Sequence, residues 1–306
     1  MSEQPLAFLN DRFLPYRDAA IALHDAGFVQ GVTVSEQLRT FGGRLFRLEE
    51  HLQRLEQSLM MVGIHSPHSS ARLAEIARQL IEHNLPLAGP AGDLGLAILL
   101  TPGPYAAFAP PDSSRTPTVC LHTYRLAFRL WAEKFRIGQA LVTTSVMQVP
   151  SECWPTALKC RSRMHYYLAD REAQRIEAGA RALMLDQQGC VTEASTANLV
   201  IFRTTEGLIS PPLRKILPGI SVAVLEELAQ TIAISFTYRD LTLQDLIDAD
   251  EAFLTSTSPC ILPVSRVNGH PLRGGVPGPM YARLLAAWNK LVGLDIAEQA
   301  RQGASS

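Results

Sequence analysis

The chain has 306 residues, 47% of them hydrophobic and 19% charged, with a formal net charge of −1. That length and balance suit a globular protein of two domains with substantial cores. The near-neutral charge gives no reason to expect nucleic acid or an anionic membrane surface as a partner. Five cysteines, Cys120, Cys153, Cys160, Cys190 and Cys260, are odd in number, scattered and without a Cys-x-x-Cys pair. This argues for reduced thiols in a cytoplasm and against a disulfide framework or a zinc site. The N-terminal "MSEQPLAFLNDRFLPY" lacks a basic stretch followed by an apolar one, so no signal peptide is read. The longest apolar runs, such as "LGLAILL" at 94–100, fall far short of the ~20 residues of a membrane-spanning helix.

"LAFLNDRFLPY" reads as two short strands around an Asn-Asp turn. "DAGFVQGVTVSEQLRTFGGRLF" continues as strand, with "FGGR" as a hairpin turn. The period then changes. Leu48, Leu52, Leu55, Leu59 and Val62 recur at steps of four and three, which predicts an amphipathic helix. A second helix is expected at 70–85, capped by Ser69 or Ser70. "DLGLAILLTP" is a buried strand, the Pro- and Ser-rich residues 102–118 are a long loop, and "VCLHTYRL" is another strand. The domain boundary falls in the window 126–137, which gives domains of residues 1–128 and 129–306.

The second half opens with the strand "GQALVTTSVMQV" and a helix at 161–178. A meander of "ALMLD", "CVTEAS", "NLVIFR" and "GLISP" follows. Helices are expected at 220–234, over "TLQDLIDA" with Thr242 capping, and at 278–292; "EAFLTST" and "CILPVSRVNG" are strands. Neither half alternates strand and helix as a doubly wound parallel sheet does, so the class is α+β.

Four stretches carry candidate chemistry, and each has a bland reading beside it. In "ALKCRSRMHYY", Lys159 has cationic neighbours that would lower its pKa and make it a nucleophile toward carbonyls; a basic helix start is the alternative. In "GCVTEASTANLVIF", Glu193 lies in a strand bound for a core, where a carboxylate needs a partner such as a pyridinium N–H, unless it sits on a wet edge. "ILPGISVAVLEELAQ" turns at Pro218–Gly219 into a helix whose first N–H groups, at Ile220 and Ser221, would favour a phosphate; an ordinary turn is the alternative. "FLTSTSPCILPV" ends a strand in Thr255, Ser256, Thr257 and Ser258, either anion donors or a polar turn. One ligand accounts for all four: an aldehyde for the Lys, a ring nitrogen for the Glu and a phosphate for the helix end and hydroxyls. That ligand is pyridoxal 5′-phosphate. His65-x-x-His68 has no third ligand in view and reads as solvated surface, so no metal is expected.

From about residue 8 to 270 the chain resembles the fold-type IV pyridoxal-phosphate enzymes, or class IV aminotransferases. These include branched-chain and D-amino acid aminotransferases and aminodeoxychorismate lyase. The motifs that carry the resemblance are "HLQRL", the Lys159 segment, the Glu-x(4)-Asn of "TEASTAN", and "LPGIS". The resemblance implies a small N-terminal α/β domain and a larger C-terminal domain with the cofactor between them, working as a homodimer. It implies Arg54 on the phosphate, Lys159 as the Schiff-base lysine and catalytic acid–base, Glu193 at the ring nitrogen and Asn198 as a further cofactor-binding residue. It also implies Ile220 and Ser221 as backbone phosphate donors and Thr257 beside the phosphate, with Arg163, Ser256 and Ser258 as further residues facing substrate or cofactor.

Two departures concern the substrate. Where branched-chain enzymes carry a Tyr five residues after the lysine, this chain has Met164, and neither the Tyr-x-Arg-Pro nor the Arg-His-x-Arg signature is present. Arg163, four after Lys159, resembles the lyase branch, and one helical turn would put the two on one face. The leading expectation is an aminotransferase acting between an amino acid and a 2-oxo acid, of branched-chain or related type, with "TPGPYAAFAPP" as a specificity element. The rivals are pyruvate elimination by the lyase and a non-catalytic cofactor-binding scaffold.

Overall fold

The computed structural model describes residues 4–89, 92–113, 115–272 and 277–305. The chain divides into two compact units, Met1–Leu126 with Leu158–Ser162, and Ala127–Ala157 with Arg163–Ser306. A short segment from the second half of the sequence thus folds with the first unit, and it carries Lys159.

In the first unit, β1 (Leu6–Leu9) and β2 (Arg12–Pro15) form a hairpin through Asn10 and Asp11, both at positive φ, a conformation that Asn and Asp tolerate. The expected strand over "DAGFVQG" is instead broken by α1 (Ala26–Val29). The Asp25 carboxylate takes the Gly27 N–H at 2.7 Å, which starts a helical turn and delays β3 (Val34–Phe41) to Val34. β4 (Arg44–Leu45) follows a turn whose Gly42 and Gly43 stand at φ 55° and 76°, as a two-residue hairpin of this hand requires. The helices α2 (Leu48–Val62) and α3 (Ser70–Asn84) come next, then β5 (Leu94–Thr101) and β6 (Thr118–Arg125).

The six strands run β2-β1-β6-β5-β3-β4, each antiparallel to its neighbours. Leu48, Leu52, Leu55 and Leu59 of α2 and Leu73, Ile76 and Leu80 of α3 form one core with Leu38, Leu96 and Ile98 of the sheet. Each such side chain contributes about 1.5–3 kcal/mol by leaving water. Asn84, at the end of α3, bonds both backbone groups of Leu6 and the Thr123 hydroxyl. His68 is not the solvated residue expected from sequence: it packs on the Phe8 ring at 5.5 Å and reaches Asp11 at 3.2 Å.

The second unit comprises α4 (Lys134–Ile137), β7 (Gln139–Thr143), α5 (Met164–Ile176), β8 (Arg181–Leu185), β9 (Val191–Ala194), β10 (Ala197–Arg203), β11 (Gly207–Ser210), α6 (Ile220–Thr231), β12 (Phe236–Tyr238), α7 (Leu243–Ile247), β13 (Glu251–Ser256), β14 (Cys260–Val267), β15 (His270–Pro271), α8 (Pro279–Val292) and α9 (Ile296–Ser305). Its sheet follows β12-β11-β10-β13-β14-β7-β8-β9, and β9 pairs back onto β10. The path β10-β13-β14-β7-β8-β9 therefore closes on itself around Leu141, Leu183, Leu199 and Leu254. The expected meander is present, with β8, β9, β10 and β11 pairing antiparallel in chain order, but the strand before it joins differently. β7 runs parallel to both β8 and β14, with α5 as the crossover between β7 and β8, because parallel neighbours need a long connection. Among the described residues, no helix is long and apolar enough to cross a membrane.

Candidate active site

In the first unit the centre is a buried carboxylate that the sequence reading did not single out. Glu36, on β3, is 0% exposed. Arg54 of α2 grips it with two parallel bonds, Nε to Oε1 at 2.7 Å and Nη2 to Oε2 at 2.8 Å. His51 Nδ1 lies 2.7 Å from Oε2. His51 and Arg54 are three apart on α2, so both face β3. Burial alone would raise the Glu36 pKa. The Arg54 guanidinium, with help from His51, outweighs that and holds it well below the usual carboxylate range. Burial lowers the His51 pKa; Glu36 opposes, while the charges of Arg54 and Lys159 add to the lowering. Neutral His51 then donates from Nδ1, since an ionised carboxylate only accepts.

The next turn of α2 receives the lysine segment. Ser58 Oγ accepts the Lys159 N–H at 3.2 Å, and the Lys159 carbonyl accepts from Ser35 N–H at 3.0 Å. Cys160 bridges Val34, and Arg161 N–H donates to the Thr33 carbonyl at 2.8 Å. Residues 158–161 are thus extended along the start of β3, and Lys159 is buried. This corrects the helix expected from residue 161: α5 begins at Met164, with Arg163 as its N-cap. Lys159 and Arg163 do not share a helical face, because pairing with β3 holds the lysine segment extended. Met164 is 70% exposed.

In the second unit Glu193, on β9, is 4% exposed. Its Oε1 accepts from Gln148 Nε2 at 2.8 Å and from the Tyr166 hydroxyl at 2.5 Å. Its Oε2 accepts from Asn198 Nδ2 and from Leu217 N–H, both at 3.3 Å. Asn198 stands directly across from Glu193 on β10, and Thr255 of β13 is across from Asn198 in turn. The three share one face of the sheet, opposite the core-lining Leu199 and Leu254. Thr255 is buried, and its Oγ1 has no hydrogen-bond partner among the described residues.

Asn198 Nδ2 also donates to the Leu217 carbonyl at 2.8 Å, which fastens the turn leading into α6. A Cβ on Gly219 would lie 2.0 Å from Asn198 Oδ1, so the glycine is required by close approach. Gly219 is the N-cap of α6, and no side chain caps that end. The first N–H groups, at Ile220 and Ser221, have no acceptor within the helix, which leaves this end partially positive.

Thr257 and Ser258 are half-buried in the β13–β14 turn. Ser256, one place past Thr255, emerges from the opposite face of the sheet to Asn198. Ser195 and Thr196, the polar residues beside Glu193, serve the hairpin. Ser195 Oγ donates to Asp170 at 2.6 Å, and Arg181 bonds Thr196 Oγ1 at 2.5 Å. Sequence reasoning passed over Glu36, His51, Gln148 and Tyr166. The "EEHLQRL" motif held a signal for the first pair, a histidine and an arginine one turn apart on the buried helix face; nothing local marks Gln148.

The family model described as amino-transferase class IV matches residues 33–267. The chain is 26% identical to D-alanine aminotransferase of Bacillus licheniformis over 279 residues, covering 91% of this chain and 94% of that protein. It is 27% identical to a putative branched-chain-amino-acid aminotransferase of Methanocaldococcus jannaschii over 286 residues, covering 90% and 93%. Among solved structures, a T.th. branched-chain amino acid aminotransferase complexed with N-(5′-phosphopyridoxyl)-L-glutamate superposes with a TM-score of 0.83 at 25% identity, over 95% of both chains. The Escherichia coli branched-chain enzyme shares the fold, with a TM-score of 0.86 at 24% identity over 94% and 95% of the two chains.

Proposed function

The chain belongs to the class IV aminotransferases, and from that membership we propose that it moves an amino group between an amino acid and a 2-oxo acid with pyridoxal 5′-phosphate. The observation that carries this reading is the Asn198 amide. It bonds Glu193 and the Leu217 carbonyl at once, joining a buried carboxylate and an uncapped helix start in one frame. A ligand with a cationic ring N–H at one end and a phosphate at the other matches that frame. The orphaned hydroxyl of Thr255, on the same face, is a further unmet donor beside it.

When bound, the cofactor supplies an aldehyde that carries the amino group and a ring that draws electrons from the substrate α-carbon. Lys159 would hold the cofactor through its amine and would move a proton at the substrate α-carbon as base and acid. Glu193 keeps the ring nitrogen protonated. Asn198 orients Glu193. Arg54, whose guanidinium is gripped by Glu36, would be a phosphate-binding residue of the first unit, and the N–H groups of Ile220 and Ser221 and the hydroxyl of Thr257 those of the second. The D-alanine and branched-chain aminotransferase relatives give elimination of pyruvate no added support.

We further propose a homodimer in the cytoplasm. The exposed Leu23, Phe28 and Phe108 would furnish apolar contact, and the free cysteines suit a reducing compartment. Light scattering that returned a single-chain mass would reject the dimer.

The first test is the visible spectrum during titration with L- and D-amino acids, with no keto acid present. Conversion of the yellow form to the pyridoxamine form supports the proposal and names the donor class. A yellow protein that no donor converts, or a Lys159→Ala variant with full turnover, overturns it.

A further inference from the structure

The two oxygens of Glu193 are held differently. Oε1 takes the short bonds, 2.5 Å from Tyr166 and 2.8 Å from Gln148, whereas Oε2 takes two at 3.3 Å. A carboxylate oxygen receiving two short bonds has little acceptor capacity left, and one receiving long bonds keeps more. The structure also locks the two short-bond donors. Gln148 is buried; its N–H donates to the Leu185 carbonyl at 2.9 Å and its carbonyl accepts from Gln187 Nε2 at 2.8 Å. Tyr166 lies in the first turn of α5, with the His165 ring 4.0 Å from its own. The Gln148 amide donates weakly to the Tyr166 oxygen at 3.4 Å, so the three groups form a closed triangle.

We propose that Tyr166 and Gln148 are positioning residues that clamp Oε1 of Glu193 and so present Oε2 to the protonated ring nitrogen of the cofactor. The inference rests on the function proposed above. Tyr166 suits the task because it stays a donor: burial, and then the charge of Glu193, raises its pKa well above the ordinary value. A neutral phenol and a neutral amide stabilise the ionised carboxylate without cancelling its charge. The clamp therefore fixes the direction of the carboxylate with neutral donors. A lysine or arginine in the place of Tyr166 would hold Glu193 as firmly and weaken it as a partner for a cation.

The test uses two cofactors: pyridoxal 5′-phosphate and its analogue with carbon in place of the ring nitrogen. The readout is the ratio of their dissociation constants for the full-length protein, measured by absorbance and protein fluorescence. The wild type should prefer pyridoxal 5′-phosphate, and Glu193→Gln should lose that preference. Tyr166→Phe, which keeps the ring and its packing, should lower the preference about 10- to 100-fold, the usual effect of losing an outer partner of a binding group. Gln148→Leu should act in the same direction. Binding of the carbon analogue should change little in either variant, which a merely structural role would not produce. An unchanged ratio in Tyr166→Phe with wild-type preference intact overturns the clamp and leaves the function standing. A wild type that binds neither compound overturns the function and the clamp with it.

Discussion

Each unit buries a carboxylate at its candidate site, Glu36 in the first and Glu193 in the second, and the two are held differently. Glu36 lies against a guanidinium in a bidentate pair, with a histidine on its second oxygen. Glu193 accepts from a phenol, two side-chain amides and a backbone N–H. The first arrangement spends the carboxylate's charge on a cation from its own helix–sheet pair and fixes the direction of Arg54. The second supports the charge with oriented hydroxyl and amide dipoles. A buried acid inside a strand can thus be held by a cation, as Glu36 is, or by hydroxyl and amide donors, as Glu193 is.

The largest expected effect comes from breaking the brace. Glu36→Ala leaves Arg54 buried without its counter-charge and should cost about 3–5 kcal/mol of stability, the usual penalty for half of a buried pair; urea unfolding measures it. Loss below about 1 kcal/mol would show that Arg54 is not confined by Glu36. On the proposed function, Glu193 should respond in turnover. Glu193→Gln should slow it about 10²- to 10³-fold, as removal of one preorganised electrostatic partner does, with a smaller change in the urea midpoint than Glu36→Ala. Equal loss of stability in the two variants would erase the distinction.

Gly219→Ala sharpens the contrast within the second unit. Its Cβ would lie 2.0 Å from Asn198 Oδ1, so either the amide or the turn must move. Affinity for pyridoxal 5′-phosphate should fall about 10-fold, or ~1.4 kcal/mol, by equilibrium dialysis, whereas the same substitution at Gly63, after α2, should leave it unchanged.

Acid should strip the brace in a defined direction. The folded pKa of Glu36 lies below its unfolded value, so its stabilisation is complete above the unfolded value of about 4.3 and fades as pH falls toward the folded one. His51, also lowered, acts in the same sense from its unfolded value of about 6.5 downward. Glu36→Gln should flatten the fall of stability on the acid side, followed by urea midpoints across a pH series. The smallest effect belongs to a surface cap: Thr242→Ala removes the capping box of α7 and should cost about 1 kcal/mol with turnover intact.

Much of this architecture was legible locally. The leucine spacing of α2, the glycine pair before β4 and the capping box of α7 each act within a few residues, and each lies where the pattern put it. The short α1 was missed because Asp25 caps it from inside a strand-like run. β12 and α9 are brief or weakly patterned, and their formation depends on what they pack against. The parallel pairing of β7 with β8 and β14 was not legible either, since register between distant strands is set by closing the sheet and not by composition.

By itself the sequence determined the α+β class, the family motifs and the residue types that suit the chemistry: Lys159, Arg54, Glu193, Asn198 and the Gly219 turn. Short-range periodicity and motif spacing suffice for those. Only the tertiary structure decided that Lys159 folds with the first unit as an extended edge of β3, that Arg163 is not its helical neighbour, and that Glu36, Gln148 and Tyr166 hold the working side chains in place. Gln148 and Glu193 are 45 residues apart in the chain. A donor and an acceptor so distant in sequence are paired by the backbone path alone, and a buried polar group takes whichever partner that path brings within about 3 Å.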